Sequence, residues 1–329
     1  MSEVRITFII TAFNNRDVLD ACLTSLRAQS ISDWHCIVVD DCSTDGTEEF
    51  IREKHPWVRV MRNPTNIGPS RGRNLAIAAT TSPLLAFLDS DTVLAPDWLE
   101  ILLNALEADP TIGIVGGMQV YAARPDRINA CGGRMSRLGL AWNNHDGEPA
   151  ASVTEAEETL WLASAACIVR REVLDQIGHF DDEYFYGYED SDLGWRAVLA
   201  GWRCVSIPAA VVQHRVNETV SRLGPRIAFN YCKNRFRSVL KNYSLPRLLL
   251  YTPLYLAFSA IDLVRPPRRA KARALLWNLR HLPDTLRLRA RVQRARAVPD
   301  RHVLRLIDRR LLPDRTRRGR HQSAIGDEP

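Results

Sequence analysis

Short apolar runs alternate along the chain with stretches whose apolar residues recur at helical spacing. Val4–Ile10 is an apolar run suited to a buried strand, and Leu19, Cys22, Leu23 and Leu26 follow on one helix face. His35–Val39 is a second run. Leu84–Leu88 is a third, followed by Leu99, Leu102, Leu103 and Leu106 on one helix face with Asp97 near its start. This order predicts an α/β fold with a mostly parallel sheet and helices on both faces. Ligands of such sheets bind outside the carboxyl ends of the strands. The polar clusters fall there: Thr11–Asn14 after the first run, Asp40–Gly46 after the second and Asp89–Asp91 after the third. Any one of these suits an ordinary solvated turn; three in this order predict one shared crevice.

Asp89-Ser90-Asp91 carries two carboxylates two residues apart, which extended backbone would point to the same side. A hard divalent cation, Mg²⁺ or Mn²⁺, takes oxygen ligands of this kind and commonly shares them with a substrate diphosphate.

Val38–Thr47 (VVDDCSTDGT), Asn66–Asn74 (NIGPSRGRN) and the Asp-x-Asp, in this order, resemble the inverting family-2 glycosyltransferases of the GT-A fold. The resemblance covers roughly residues 4 to 215. It implies a Rossmann-like GT-A domain and a donor site for a nucleotide-diphosphate sugar. In that site Asp41 would accept a hydrogen bond from a pyrimidine ring, and Thr11, Phe13 and Asn14 would line the base pocket. Arg71 or Arg73 would lie near the nucleotide, Asp89 and Ser90 near the ribose, and Asp91 on the metal. Asp40, Asp45 and Asn74 are expected to cap turns instead. Trp161–Arg171 and Phe180–Arg196 resemble the acceptor-side segments, with Glu189-Asp190 matching the family's Glu-Asp pair at a helix start. Inverting transfer needs a carboxylate to take the proton of the attacking hydroxyl. The resemblance gives that role to Asp190, with Glu189 orienting the acceptor and His214 as second metal ligand. Trp161 and Trp195 are placed on the acceptor side, although core burial is expected of at least two among Trp161, Trp195 and Trp202. The chain departs from the family pattern at Gly178-His179-Phe180-Asp181-Asp182, where a glycine pair is usual, and at Ala165, often glycine. Both departures bear on acceptor identity.

Charge divides the chain. Residues 265–329 carry 19 Lys and Arg against 6 Asp and Glu, net +13, whereas the preceding residues carry 25 against 32, net −7. Leu248–Ile261 is an apolar run interrupted by Pro253, short of the roughly 20 residues that span a bilayer. It suits an interfacial or re-entrant segment with Tyr251 and Tyr255 as anchors. The arginine-rich stretch that follows, with Leu275, Leu276, Leu279 and Leu282 among its charges, suits an anionic membrane surface. The plainer alternative is a helical pair packed on the body or on a second subunit. Few aromatics interleave with the arginines, so nucleic acid is not an expected partner. Seven scattered cysteines without a Cys-x-x-Cys pair indicate a reducing compartment. The first ten residues lack the pattern of a secretory signal.

The expectation is therefore an α/β GT-A catalytic domain over 1–224, a helical, basic, membrane-associating extension over 225–317 and a disordered tail over 318–329. The expected activity is inverting, Mg²⁺- or Mn²⁺-dependent transfer from a UDP-, dTDP- or GDP-sugar, with dTDP-rhamnose suggested by rhamnosyltransferase-like segments. The acceptor would be a lipid-linked or polysaccharide intermediate of envelope glycan synthesis. The enzyme would be cytoplasmic, peripheral to the inner face of the plasma membrane, with a homo-oligomer left open. A sugar-phosphate nucleotidyltransferase and a non-catalytic nucleotide-binding scaffold are the alternatives.

Overall fold

The computed structural model describes residues 5–215 and 226–310. Val4, the boundary expected at 224–225 and the tail over 318–329 lie outside the described residues. In chain order the elements are β1 (Ile6–Ala12), α1 (Arg16–Arg27), β2 (Trp34–Asp40), α2 (Thr47–Lys54), β3 (Arg59–Arg62), α3 (Pro69–Ala78), β4 (Leu84–Asp89), β5 (Thr92–Leu94) and α4 (Trp98–Ala108). There follow β6 (Ile112–Tyr121), β7 (Arg124–Ala130), β8 (Gly133–Ser136), β9 (Ala141–Asn143), β10 (Glu157–Thr159), β11 (Ala166–Arg170), α5 (Arg171–Ile177), α6 (Glu189–Leu199) and β12 (Arg203–His214). The C-terminal part comprises α7 (Arg226–Asn242), α8 (Leu245–Leu263), α9 (Arg268–Arg280), α10 (Leu282–Ala295), α11 (Asp300–Leu306) and β13 (Ile307–Asp308).

The main sheet runs β10-β12-β6-β11-β4-β1-β2-β3. It is the expected α/β sheet, parallel from β4 through β1 and β2 to β3. Beyond β4 it becomes mixed, because β11 lies antiparallel between β4 and β6. Nearly every residue of β1 is buried, since both faces of the sheet are covered. Phe8 and Ile10 pack with Leu19, Trp98 and Leu102 on one side. Ile9 packs with Ile77, Phe180 and Trp195 on the other. Trp195, placed on the acceptor side by the sequence, is a core residue: it is 1% exposed and its ring meets Tyr243 edge-on at 4.8 Å. It follows Gly194, whose missing side chain lets α6 lie against Trp161; a Cβ there would fall 2.6 Å from the Trp161 backbone.

The C-terminal helices join the body through buried charges. Asp192 on α6 accepts from Arg196 Nε at 2.9 Å, Lys241 Nζ at 3.0 Å and Asn242 Nδ2 at 3.0 Å. Asp181 accepts from Lys241 Nζ at 2.6 Å and Arg237 Nε at 2.7 Å, and Arg237 also reaches Asp284 of α10 at 2.7 Å. Burial alone would raise both aspartates, but the facing cations hold Asp181 and Asp192 below the ordinary carboxylate range. A second, three-stranded sheet pairs β13 in parallel with β8, which pairs antiparallel with β9.

Tyr251 and Tyr255 are not interface anchors. Both are buried against the body, Tyr251 beside Tyr243 at 5.3 Å and Tyr255 beside Phe236 at 5.6 Å, so they form the inner face of α8. Among the described residues no helix is long and apolar enough to cross a membrane.

Candidate active site

The pairing of β1 with both β2 and β4 puts Thr11 level with Val39 on one side and Asp89 on the other. The three strand-end clusters are therefore neighbours, and hydrogen bonds tie them together. Asn14, in a left-handed conformation (φ 53°), donates its backbone N–H to Ser43 Oγ at 2.9 Å and accepts from Thr44 N at 2.8 Å. The Ser90 hydroxyl donates to the Asn15 amide oxygen at 2.7 Å. Phe13 stands beside them, 42% exposed. Asp40 and Asp45 cap turns as expected: Asp40 accepts from Ser43 N at 3.0 Å, and Asp45 from Arg16 N at 3.0 Å and Thr47 N at 3.2 Å. Asn74 donates to Phe180 O at 2.9 Å.

Asp41 is oriented by its own loop. Its carboxylate accepts from Asn63 Nδ2 and Ile67 N, both at 2.9 Å, and from Gly68 N at 2.8 Å. That uses most of its acceptor capacity and fixes the turn into α3. Two arginines two residues apart on α3 part company, since that spacing puts them on opposite sides of the helix. Arg71 turns outward to Asp182 O at 3.1 Å and to Glu183 at 3.3 Å. Arg73 is 2% exposed and donates to Asp89 at 2.8 Å, with Glu189 3.8 Å away on its other side. Of the two, Arg73 alone lines the central cavity.

β12 pairs antiparallel with β5, setting His214 opposite Thr92 and its Nε2 3.5 Å from Asp91 Oδ1. His214 Nδ1 lies 3.1 Å from Asn129 Oδ1, which fixes the ring with Nε2 toward the carboxylate. One ligand atom from each of Asp89, Asp91 and His214 falls within 4.8 Å of the others, the one such cluster among the described residues. Two carboxylates and an imidazole suit Mg²⁺ or Mn²⁺. Burial would lower the His214 pKa, but Asp91 and Asp89 together hold it above its ordinary value.

The cluster opens into a cavity of about 730 Å³ whose lining includes Asp89, His214, Arg73, Trp161, Glu189 and Asp190. Trp161 thus meets the cavity, while its Nε1 donates to Arg134 O at 3.2 Å. Glu189 and Asp190 open α6 behind Tyr188, a non-glycine residue at φ 75° held by a hydroxyl bond to Gly139 O at 2.8 Å. Burial raises the pKa of both carboxyls; the Asp190 charge adds to the shift of Glu189, and Arg73 opposes the rise at both. Arg73 Nε and Nη1 and Glu189 Oε2 are buried without a hydrogen-bond partner.

Three parts of this wall lie outside the expected site residues. Asn129 orients His214 from 85 residues away. Asn234 on α7 donates to Tyr186 O at 3.0 Å and Gly187 O at 2.6 Å, and Lys233 donates to Glu183 O, so a C-terminal helix holds the loop ahead of the Glu189–Asp190 pair. Tyr231 of α7 and Arg310 after β13 line the same cavity. Their contribution follows from the docking of the C-terminal part, which no local pattern announces.

The sequence model of glycosyl transferase family 2 matches residues 7–178, more than half of the chain. The chain belongs to glycosyl transferase family 2. This family-2 chain is 33% identical over 212 residues to a pre-mycofactocin glycosyltransferase of Mycobacterium tuberculosis, covering 64% of the chain but 42% of that relative's length. It is 28% identical over 226 residues to the N-acetylglucosaminyl-diphospho-decaprenol L-rhamnosyltransferase of the same organism, covering 62% of the chain and 74% of the relative. Among solved structures, S. aureus TarS 1–349 in complex with UDP-GlcNAc superposes with a TM-score of 0.57 at 20% identity, over 92% of this chain and 84% of that one. The mannosyltransferase PcManGT from Pyrobaculum calidifontis, in complex with GDP-Man and Mn²⁺, gives 0.53 at 19%, over 90% and 86%. These likenesses establish the GT-A fold of this family-2 chain, and the family assignment leaves the nucleotidyltransferase alternative without support.

Proposed function

We propose that this family-2 chain transfers a sugar with inversion from a nucleotide-diphosphate donor to a hydroxyl of a lipid-linked or polysaccharide acceptor. The observation that carries this reading is the meeting, in one cavity, of the Asp89–Asp91–His214 cluster with the Glu189–Asp190 pair. Asp89, Asp91 and His214 would hold Mg²⁺ or Mn²⁺, which supplies Lewis-acid neutralisation of charge developing on a diphosphate. Thr11, Phe13, Asn14 and the loop tied by Asp41 would enclose the base, with Ser90 and Asp89 toward the ribose. Arg73 would place fixed positive charge beside Asp89 where the donor enters, and its unpartnered N–H groups leave it free to donate there.

Asp190 acts as base. The acceptor hydroxyl gives its proton to the Asp190 carboxylate while its oxygen bonds to the anomeric carbon. The bond from that carbon to the diphosphate oxygen breaks, and the diphosphate leaves with the electron pair. Glu189, with its pKa raised to about 8 chiefly by burial, offers the acceptor a hydroxyl-like donor at neutral pH and orients it. The relative named as an N-acetylglucosaminyl-diphospho-decaprenol L-rhamnosyltransferase supports a prenyl-linked acceptor and dTDP-rhamnose as a donor to try first. Such an acceptor would bring the enzyme to the inner face of the plasma membrane, where envelope glycans are assembled.

Thermal stabilisation by UDP, dTDP, GDP and CDP, each with and without Mn²⁺, tests the donor half of this reading. A metal-dependent rise in Tm with one nucleotide is the expected result. No rise with any of them, in folded protein, would return the chain to the scaffold alternative. His214→Ala is expected to weaken the Mn²⁺ dependence of that rise by about tenfold or more in metal concentration; an unchanged titration removes His214 from the metal.

A further inference from the structure

α8 is built inside out. Its residues recur on the body side as Leu248, Tyr251, Tyr255 and Phe258, half-buried or buried, as expected of a helix packed on a core. Its other side should be polar in water, and it is not. The exposed positions from 249 to 261 are Leu249, Leu250, Pro253, Leu254, Leu256, Ala257, Ala260 and Ile261, with no charged residue among them. Leu249 is 66% exposed and Leu256 60%. Among the described residues, eleven of the fourteen exposed large hydrophobic residues fall within 245–286, a concentration that scattered surface leucines do not produce.

The charges next to this face are of one sign. The only carboxylate on the outer half of α8, Asp262, is taken by Lys271 at 2.8 Å. The exposed Arg265, Arg269, Arg273 and Arg280 make no ion pair among the described residues. Leu275, Leu276 and Leu279 are exposed between them on α9. An apolar strip bordered by uncompensated guanidinium groups is complementary to a bilayer of anionic lipid, with acyl chains for the leucines and headgroup phosphates for the arginines. A second copy of this chain would bring the same arginines together, a repulsion that an isologous contact would have to overcome. α7 connects this face to the cleft. Its Arg235 lies over the Tyr255 and Phe258 rings of α8, at 5.4 and 4.9 Å, and its Tyr231 lines the cavity.

We propose that the outer face of α8 and the adjoining face of α9 form a docking surface for an anionic lipid bilayer, the leucines entering the headgroup boundary and the arginines resting among the phosphates. The inference goes beyond the transfer reading and does not need it, since none of these leucines or arginines lines the cleft. It would set the mouth of the cleft beside the lipid surface, so that a substrate held in the bilayer is reached without leaving it.

The test uses the full chain and no sugar donor. Co-flotation is measured with vesicles of phosphatidylcholine alone and of phosphatidylcholine mixed with phosphatidylglycerol. The expected result is partition onto the mixed vesicles, weaker onto phosphatidylcholine, and reduced by added salt. Leu249→Glu combined with Leu256→Glu should lower the partition by at least about tenfold. Both positions are exposed, so circular dichroism and Tm should stay at the wild-type values. Arg269→Glu with Arg273→Glu should abolish the preference for phosphatidylglycerol. Equal partition of wild type and leucine variant, or no partition of folded wild type onto any vesicle, overturns the proposal. A wild-type dimer that the leucine variant disperses, without vesicle binding, overturns it in favour of a second copy of the chain.

Discussion

Asp190→Asn is expected to lower the transfer rate by about 10²–10⁴-fold, the usual contribution of a positioned general base, with nucleotide affinity nearly unchanged. The substitution keeps the shape of the side chain and its bond from Ser191 N at 2.6 Å, and removes only the capacity to take a proton. Donor affinity should survive because the residues proposed to hold the nucleotide belong to β1, β2, β4 and the loops after them, on the other side of Arg73. Single-turnover transfer together with nucleotide titration checks both halves; turnover within a few-fold of wild type would end the role of Asp190 as base. The pH dependence has a definite sign. Burial raises the Asp190 carboxyl, against the opposing Ser191 N–H and Arg73. A base must be deprotonated to act, so transfer is lost as pH falls. The acid limb of kcat/KM should lie at higher pH than an ordinary aspartate would give, and it should disappear from what activity Asp190→Asn retains.

The second large effect is on stability. Asp192→Ala removes one carboxylate that four buried groups address, Tyr184 among them, and leaves the Lys241 and Arg196 charges facing each other at 2% and 5% side-chain exposure. Breaking a buried ion pair from one side costs about 3–5 kcal/mol. Equilibrium unfolding in urea, or the fall in Tm, measures it. A cost below about 1 kcal/mol, the range of surface pairs, would show that the network contributes little to the union of α6 and α7. Lys241→Met, of similar volume, should cost less than Lys241→Ala, since it leaves no cavity. Linkage gives the pH sense. Asp181 and Asp192 titrate below their ordinary range in the folded chain, so their contribution is fully present at neutral pH. It is lost as pH falls below the unfolded carboxylate value toward the depressed folded one. Acidification should therefore loosen the helical part from the body, with a smaller acid dependence in Asp192→Ala.

How much of this could be read from the chain depends on whether a residue's partner is near in sequence. Apolar runs such as Leu84–Leu88 and the stripe Leu99–Leu106 became β4 and α4 because their patterns follow from local geometry. The three polar clusters met at one edge because parallel strands share a carboxyl end, which made Asp89, Asp91 and their neighbours legible together. The antiparallel β11 was hidden, since a short apolar run gives no direction. Trp195 and Trp161 are both core residues, as expected of two of the tryptophans, and only the packing of α6 against Trp161 and Tyr243 decides that Trp161 also meets the cavity. The tyrosines of α8 misled for a related reason. An aromatic beside an apolar run suits a membrane boundary and a protein interior equally, and Tyr243 and Phe236, the partners that decide it, lie on α7 or just after it. Arg73 and Arg71 could not be told apart until α3 had a definite rotation.

The pairing of β13 with β8 joins residues 307–308 to residues 135–136. A ribosome emits the chain in order, so the partner of β8 emerges long after β8 itself. At roughly 5–20 residues per second this interval is on the order of ten to thirty seconds. During that time the sheet around the mouth of the cleft has an open edge, and Arg310 is not yet in place to line the cavity. The strand order thus makes the wall that carries Arg310 the last part of the cleft to close, well after the carboxyl ends of β1, β2 and β4 have been made.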